Sequence, residues 1–198
     1  MFAKHVNISP CATGDGSPGV LLSDRQIITD NPLIRIVNAR IEGGNAAANG
    51  LFGGAGLYIS KGRADIVSKK SSIIGGFNPD GTSRGAAIET ESSSGNLYVY
   101  EGHIGDAMTI TSLNNFGYAY IYGGKWMGRW SIPGGTTNVY GNLVHDNDKL
   151  TGTLCDGNEI DVQIFCPYGA QFCSLNLDQN CDGYENYVTN TLPYTECE

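Results

Sequence analysis

Three groups of side chains in this 198-residue chain have the types and spacing to do chemistry. In "DQNCDGYENYVT" (178–189), Asp178, Asn180 and Asp182 occupy positions 1, 3 and 5 of a twelve-residue loop, with Gly183 at position 6. Alternate side-chain oxygens can then converge on a divalent cation while glycine makes the turn, which is calcium chemistry. Asn186 offers a further oxygen, but Thr189 stands where a bidentate Glu belongs. An Asn/Asp/Gly turn held by Cys181 is the competing reading. The second group is Glu101, Lys125 and Arg129, an acid and two bases beside Trp126 and Trp130. Brought onto neighbouring strands they would suit cleavage of an acidic polysaccharide, or else form a surface ion pair over an apolar patch. A glycosidase needs two carboxylates about 5–9.5 Å apart, and the acids available on the repeats are few: Glu89, Glu91, Glu101 and Asp106. His103 and His145 have no nucleophile or carboxylate at a telling spacing and read as solvated turn histidines.

The third group is aromatic. "GYAYIYGGKWMGRW" (117–130) sets Tyr118, Tyr120 and Tyr122 on alternate positions and adds Trp126 and Trp130. Strict alternation is a strand signal that puts the three tyrosines on one face. With Tyr98, Tyr100 and Tyr140 they make a face of rings suited to sugar C–H surfaces or to a protein partner. The same rings, stacked at strand spacing, would staple adjacent strands.

What must position these residues is a repeat. The units "ARIEGG" (39–44), "SSIIGG" (71–76), "LYVYEG" (97–102), "AYIYGG" (119–124) and "TNVYGN" (137–142) recur at intervals of 32, 26, 22 and 18 residues. Between them runs a second strand-like unit: "AGLYIS" (55–60), "AAIETE" (86–91), "AMTITS" (107–112) and "RWSIPG" (129–134). Intervals of this size, glycine at the corners and no helical periodicity predict a right-handed parallel β-helix of about five or six tapering coils. Stacked, the units give an inward column of Ile41, Ile73, Val99, Ile121 and Val139, and a second of Ala39, Ser71, Leu97, Ala119 and Thr137. The alternate columns, Glu42–Ile74–Tyr100–Tyr122–Tyr140 and Arg40–Ser72–Tyr98–Tyr120–Asn138, then face outward. Residues 1–35 read as a cap or first coil, 36–165 as the coils, and 166–198 as a disulfide-tied acidic cap or tail.

Composition narrows the classes. The 28 glycines are about twice the average usage. The net charge is −8, and residues 151–198 hold eight acids and no Lys, Arg or His, which repels phosphate backbones and argues against nucleic-acid binding. Cys11, Cys155, Cys166, Cys173, Cys181 and Cys197 show no zinc-ligand spacing. An even count clustered toward the C-terminus predicts disulfides and an oxidising compartment, with any of 15 pairings open. The opening "MFAKHVNISP" lacks a signal peptide's apolar run, so either a leader has been removed, the favoured reading, or the chain is intracellular with free thiols. No stretch approaches the ~18 apolar residues of a membrane span.

"TTNVYGNLVHDNDKLTGTLCDGNEIDVQI" (136–164) resembles the segment that ends many secreted β-helical repeat proteins of bacteria, including those with PEP-CTERM sorting signals. There, "IYGG" coils close with an "LTGxLxDG" strand pair. The likeness covers about residues 97–164 and implies a fold and an envelope or matrix setting, but no catalytic residue. No sorting signal is present, and the cysteine-rich tail departs from the pattern. The expected function is a non-catalytic extracellular module that binds a polysaccharide or a cell-surface or matrix protein through the tyrosine/tryptophan face. It includes a structural variant that self-associates through its solenoid ends. A polysaccharide lyase or hydrolase centred on Glu101, Lys125 and Arg129 is the alternative. Ice binding is a minor one, since "TIT" (109–111) occurs once where a regular Thr-x-Thr face is needed.

Overall fold

A computed structural model describes residues 2–3, 7–8, 15–23, 33–47, 51–91, 94–168, 173–182 and 184. Cys11, Asn186 and Cys197, and most of the expected 1–35 cap, lie outside the described residues. Among the described residues the regular structure is β, and its strands come in threes. β1 (Phe2–Ala3), β2 (Asn7–Ile8) and β3 (Val20–Leu22) are followed by β4 (Leu33–Ile36), β5 (Arg40–Glu42) and β6 (Leu57–Ile59). Then come β7 (Gly62–Ile66), β8 (Ser72–Ile74) and β9 (Ile88–Thr90), and β10 (Gly95–Val99), β11 (His103–Ile104) and β12 (Thr111–Asn115). The fifth trio is β13 (Tyr118–Ile121), β14 (Lys125–Trp126) and β15 (Arg129–Ser131). Four strands close the chain: β16 (Thr136–Asp146), β17 (Lys149–Leu154), β18 (Glu159–Phe165) and β19 (Ser174–Asp178).

Each strand of a trio pairs in parallel with its counterpart in the next. The first row runs β1-β4-β7-β10-β13-β16, with β19 also on β16; the second runs β2-β5-β8-β11-β14; the third runs β3-β6-β9-β12-β15-β18. β17 lies antiparallel between β16 and β18 and joins the first and third rows into one 14-stranded mixed sheet, nearly closed on itself.

The core follows from the register. Ile36, Ile66, Val99, Ile121 and Val139 stack along the first row, Ile41, Ile73, Ile104 and Trp126 along the second, and Leu57, Ile88, Leu113 and Trp130 along the third. All are buried. Branched aliphatics of like shape repeat at the strand spacing, and each contributes roughly 1.5–3 kcal/mol relative to exposure. A polar ladder crosses the corner after the third row. Thr90 Oγ1 donates to Asn115 Oδ1 at 2.6 Å, and Asn115 Nδ2 donates to Thr137 Oγ1 at 2.9 Å. The same two side chains accept from the Phe116 and Gly117 amides, so the turn's buried donors are satisfied.

The inward columns read from sequence are buried, and so are Ile74 and Tyr100 of the expected outward columns, while the alignment of the units does not hold. "ARIEGG" and "SSIIGG" stack on each other in the second row, whereas "LYVYEG", "AYIYGG" and "TNVYGN" stack in the first. The true first-row partners are Ile34, Ala64, Leu97, Ala119 and Thr137, separated by 30, 33, 22 and 18 residues. Strands of both rows bury alternate residues and several of them end at glycine, so units from two different rows align as one series. Likewise "AMTITS" overlaps only the start of β12; Leu113, the residue that follows it, is the one that stacks under Trp130.

The connections between second- and third-row strands shorten along the chain, from residues 43–56 and 75–87 to 105–110 and 127–128, that is fourteen, thirteen, six and two residues. In the described parts of the two long ones, 43–47, 51–56 and 75–87, glycine segments pack backbone on backbone. Gly54 N donates to Gly44 O, Gly76 N to Gly54 O and Gly85 N to Gly76 O, each at 2.8 Å. A Cβ built on Gly43, Gly53, Gly54, Gly75, Gly76 or Gly85 would overlap a facing carbonyl, so no other residue allows this approach. At the far end, Leu143, Leu150, Leu154, Ile160, Val162 and Ile164 from β16–β18 cover the core. Cys155 pairs with Cys181 and Cys166 with Cys173, so the tail is tied to this cover.

Candidate functional site

The shortening connections create a step. Where the long glycine segments end and the short turns begin, the third-row sheet is left uncovered beside an overhang. The cleft at this step encloses about 430 Å³, within the range of small-ligand sites. Phe52, Asn78 and Arg84–Ala86 form the overhanging wall, Ile110 stands opposite, and Glu89, Thr111, Asn114, Arg129 and Ser131 form the floor. The floor is one register column of outward side chains, Glu89–Asn114–Ser131, flanked by the Thr111–Arg129 pair. Phe52 is 66% and Ile110 50% exposed.

Charge in the cleft is arranged unevenly. Arg84 is 8% exposed and paired with two acids: Nη1 lies 2.8 Å from Glu42 Oε1 and from Gly75 O, Nε lies 2.8 Å from Asp106 Oδ2 at ion-pair distance, and the guanidinium covers the Phe77 ring at 3.9 Å. Burial pushes the Glu89 carboxyl above the usual range; a hydrogen bond from Asn114 opposes this and the nearby Glu91 charge adds to it. The folded pKa of Glu89 therefore lies above its unfolded value. The stability linked to the protonated form is complete below the unfolded pKa of about 4.3 and is lost as pH rises through the folded value. Glu89→Gln, which stays neutral, is expected to melt above wild type at pH 7 and level with it at pH 4; calorimetric melts at equal difference across that interval would show the carboxyl's charge to be immaterial.

The tyrosines do face outward, in two stacked rows. Tyr98 lies over Tyr120 with centroids 4.5 Å apart, Tyr100 over Tyr122 at 5.1 Å, and Tyr122 over Tyr140 at 4.1 Å, all within 16° of parallel. Arg63, itself paired with the buried Asp65 at 2.6 Å, caps the other face of Tyr98 at 3.9 Å. Rings stacked along the sheet spend their faces on each other and turn edges to solvent. Tyr100 is buried, contrary to the expectation of an exposed row, while Tyr118 is 38% exposed. Trp126 and Trp130 require a larger correction. Both are buried, 7% and 0% exposed, and meet edge to face at 4.9 Å within the core. The alternation that exposes tyrosines in the first row turns Trp126 inward in the second and Trp130 inward in the third.

Glu101, Lys125 and Arg129 belong to three different rows and share no ion pair or hydrogen bond. Glu101 faces Lys69 Nζ at 3.8 Å and accepts from the Tyr184 hydroxyl at 3.3 Å. Arg129 lies 4.8 Å over Phe165, its Nε 3.4 Å from Thr111 Oγ1. Lys125 is exposed and pairs in register with His103, which is also exposed. In the expected calcium loop, Asp178 and Asn180 turn their side-chain oxygens back onto the amides of Asn180 and Asp182, at 2.8 and 3.0 Å, and Asn180 Nδ2 donates to Asp182 Oδ2 at 2.8 Å. These are local Asx turns, and among the described residues no three acidic, His or Cys side chains cluster as a metal site. Sequence reasoning missed Phe52, Asn114, Thr111 and Ser131; the shrinking repeat interval was the signal for the step that gathers them.

No family model, no curated protein and no solved structure matches this chain. The two disulfides fit an oxidising environment, and no helix among the described residues is long and apolar enough to cross a membrane.

Proposed function

We propose that the chain is a three-sided, right-handed parallel β-helix that works outside the cell as a non-catalytic glycan-binding module. Parallel pairing of each strand from β1 to β13, and of β15 and β16, with the third one on supports the coil reading, and the hand follows the general preference of parallel crossovers. The disulfides favour secretion. The observation that carries the binding reading is the cleft at the step. It combines an exposed aromatic ring and an aliphatic wall, which suit sugar C–H faces, with a floor of carboxyl, amide, hydroxyl and guanidinium groups, which suit sugar hydroxyls. A catalytic reading needs paired acids or an acid–base pair at short range, and Glu101, Lys125 and Arg129 are not so arranged. The tyrosine rows then hold the coils together, offset ring pairs contributing about 0.5–1.5 kcal/mol each.

The test is retention of the purified chain on a panel of immobilised neutral and acidic polysaccharides, with the supernatants assayed for released sugar. Wild type is expected to be retained without sugar release, Phe52→Ala and Asn114→Ala to lose at least tenfold in affinity, and Tyr120→Ala to be retained but melt lower. Sugar release would make the chain an enzyme. Retention abolished by Tyr120→Ala and untouched by Phe52→Ala would move the site to the tyrosine face, and no retention on any polymer would leave a structural subunit.

A further inference from the structure

We infer that the cleft selects a glycan carrying a carboxylate, which Arg129 receives in a bidentate grip; the inference rests on the cleft being the glycan site. Arg84 and Arg129 both line the cleft, but they are in opposite states. Arg84 is neutralised by Glu42 and Asp106. Arg129 has no carboxylate within ion-pair distance among the described residues, although its guanidinium is held in place on both sides, by the Phe165 ring and by Thr111 Oγ1 through Nε. The Nη edge is thus an oriented fork with no protein anion to fill it, and a planar fork is the geometry that matches a carboxylate.

The register sets the scale of the ligand. Arg129 pairs with Thr111, and Glu89, Asn114 and Ser131 follow one another in the adjoining column. Successive strands lie about 4.8 Å apart, so Glu89 and Ser131 are separated by roughly 10 Å. One sugar ring spans that gap, with its carboxylate at Arg129, its hydroxyls on Asn114, Ser131 and Thr111, and a ring face against Phe52 or Ile110. Glu89 lies at the end of the column away from Arg129, two strands from it. A second feature sharpens the selection. The chain carries a net charge of −8, with the acids of residues 151–198 uncompensated, so it does not attract polyanions indiscriminately. An acidic glycan retained by this chain is retained at a site.

The experiment compares two polymers that differ only at the carboxyl: alginate and its carboxyl-reduced counterpart, immobilised in parallel at physiological ionic strength, beside the neutral panel. Wild type is expected to bind alginate at least tenfold more tightly, the usual weight of one hydrogen-bonded ion pair. Arg129→Gln should abolish the difference, alginate losing at least tenfold more than its carboxyl-reduced counterpart, and Arg129→Lys, which keeps the charge but loses the fork, should restore only part of it. Circular dichroism confirms that both variants fold. Equal retention on the two polymers by wild type, or a preference unchanged in Arg129→Gln, overturns the inference and leaves glycan binding standing. Retention on no polymer, neutral or acidic, overturns both.

Discussion

Gly76→Ala is expected to unfold the chain at 37 °C or to lower its stability by at least about 3 kcal/mol, whereas Gly134→Ala should stay within about 0.5 kcal/mol of wild type. One methyl group is added in each case. At Gly76 the new Cβ would overlap the carbonyl of Gly44, and backbone on the facing segment cannot rotate away as a side chain would. That segment is itself fixed: Gly44 N donates to Ser17 O at 2.7 Å and Gly44 O accepts from Gly54 N at 2.8 Å. Relief must therefore travel through three successive connections. At Gly134 no atom lies within 4 Å, so the methyl meets solvent and the reduced freedom of the unfolded chain is the main effect. Thermal or urea melts of the two variants measure the contrast. Equal melts would mean that the glycine segments are not packed backbone on backbone, and the wall of the cleft would fall with them.

The contrast also explains what the sequence reveals and what it hides. Alternation within a strand is a local property, and it correctly turned Ile41, Ile73, Val99, Ile121 and Val139 inward. Which strands lie side by side is not local. "SSIIGG" and "LYVYEG" carry the same pattern because each must bury alternate residues and then turn at glycine, yet they belong to different rows, β8 in the second and β10 in the first. Trp126 and Trp130 were placed outside by their nearness to tyrosines in sequence, but a corner separates them from Tyr122, and each new row resets which parity faces the core. The cleft was least legible. Phe52, Glu89 and Arg129 are far apart in the chain and meet only because the connection at 43–56 overhangs the third row where later connections shorten to two residues. The shrinking interval was visible in the sequence; the side of the molecule that it affects was not. Glycine usage was read as turns, whereas six of these glycines are there because two backbones touch.

Arg84→Met should cost about 3 kcal/mol, and the loss should persist at 1 M salt, while Lys149→Met should cost less than about 1 kcal/mol and converge on wild type as salt is added. The two cations differ in what surrounds them. Lys149 reaches Asp161 at 3.0 Å with both side chains more than half exposed, so water and ions compete for each partner. Arg84 lies beneath the overhang, and methionine there would fill most of its volume while leaving Glu42, Asp106 and the Gly75 carbonyl without their shared donor. The desolvation of those groups, and not the lost attraction alone, sets the size of the effect. A double variant, Arg84→Met with Glu42→Gln, isolates that contribution: it should recover part of the loss, because the amide does not leave a charge behind. Full additivity of the two substitutions would show that the ion pair is not coupled in solution. The same substitution bears on function. Arg84 fastens Gly75, at the base of the glycine wall, to Glu42 in the second row and to Asp106 in the next connection, so it holds the overhang at its height above Glu89 and Asn114. Under conditions where Arg84→Met remains folded, glycan retention should therefore fall although Arg84 has no unpaired charge to offer a ligand. Retention at wild-type strength in the folded variant would mean that the floor of the cleft binds without its wall.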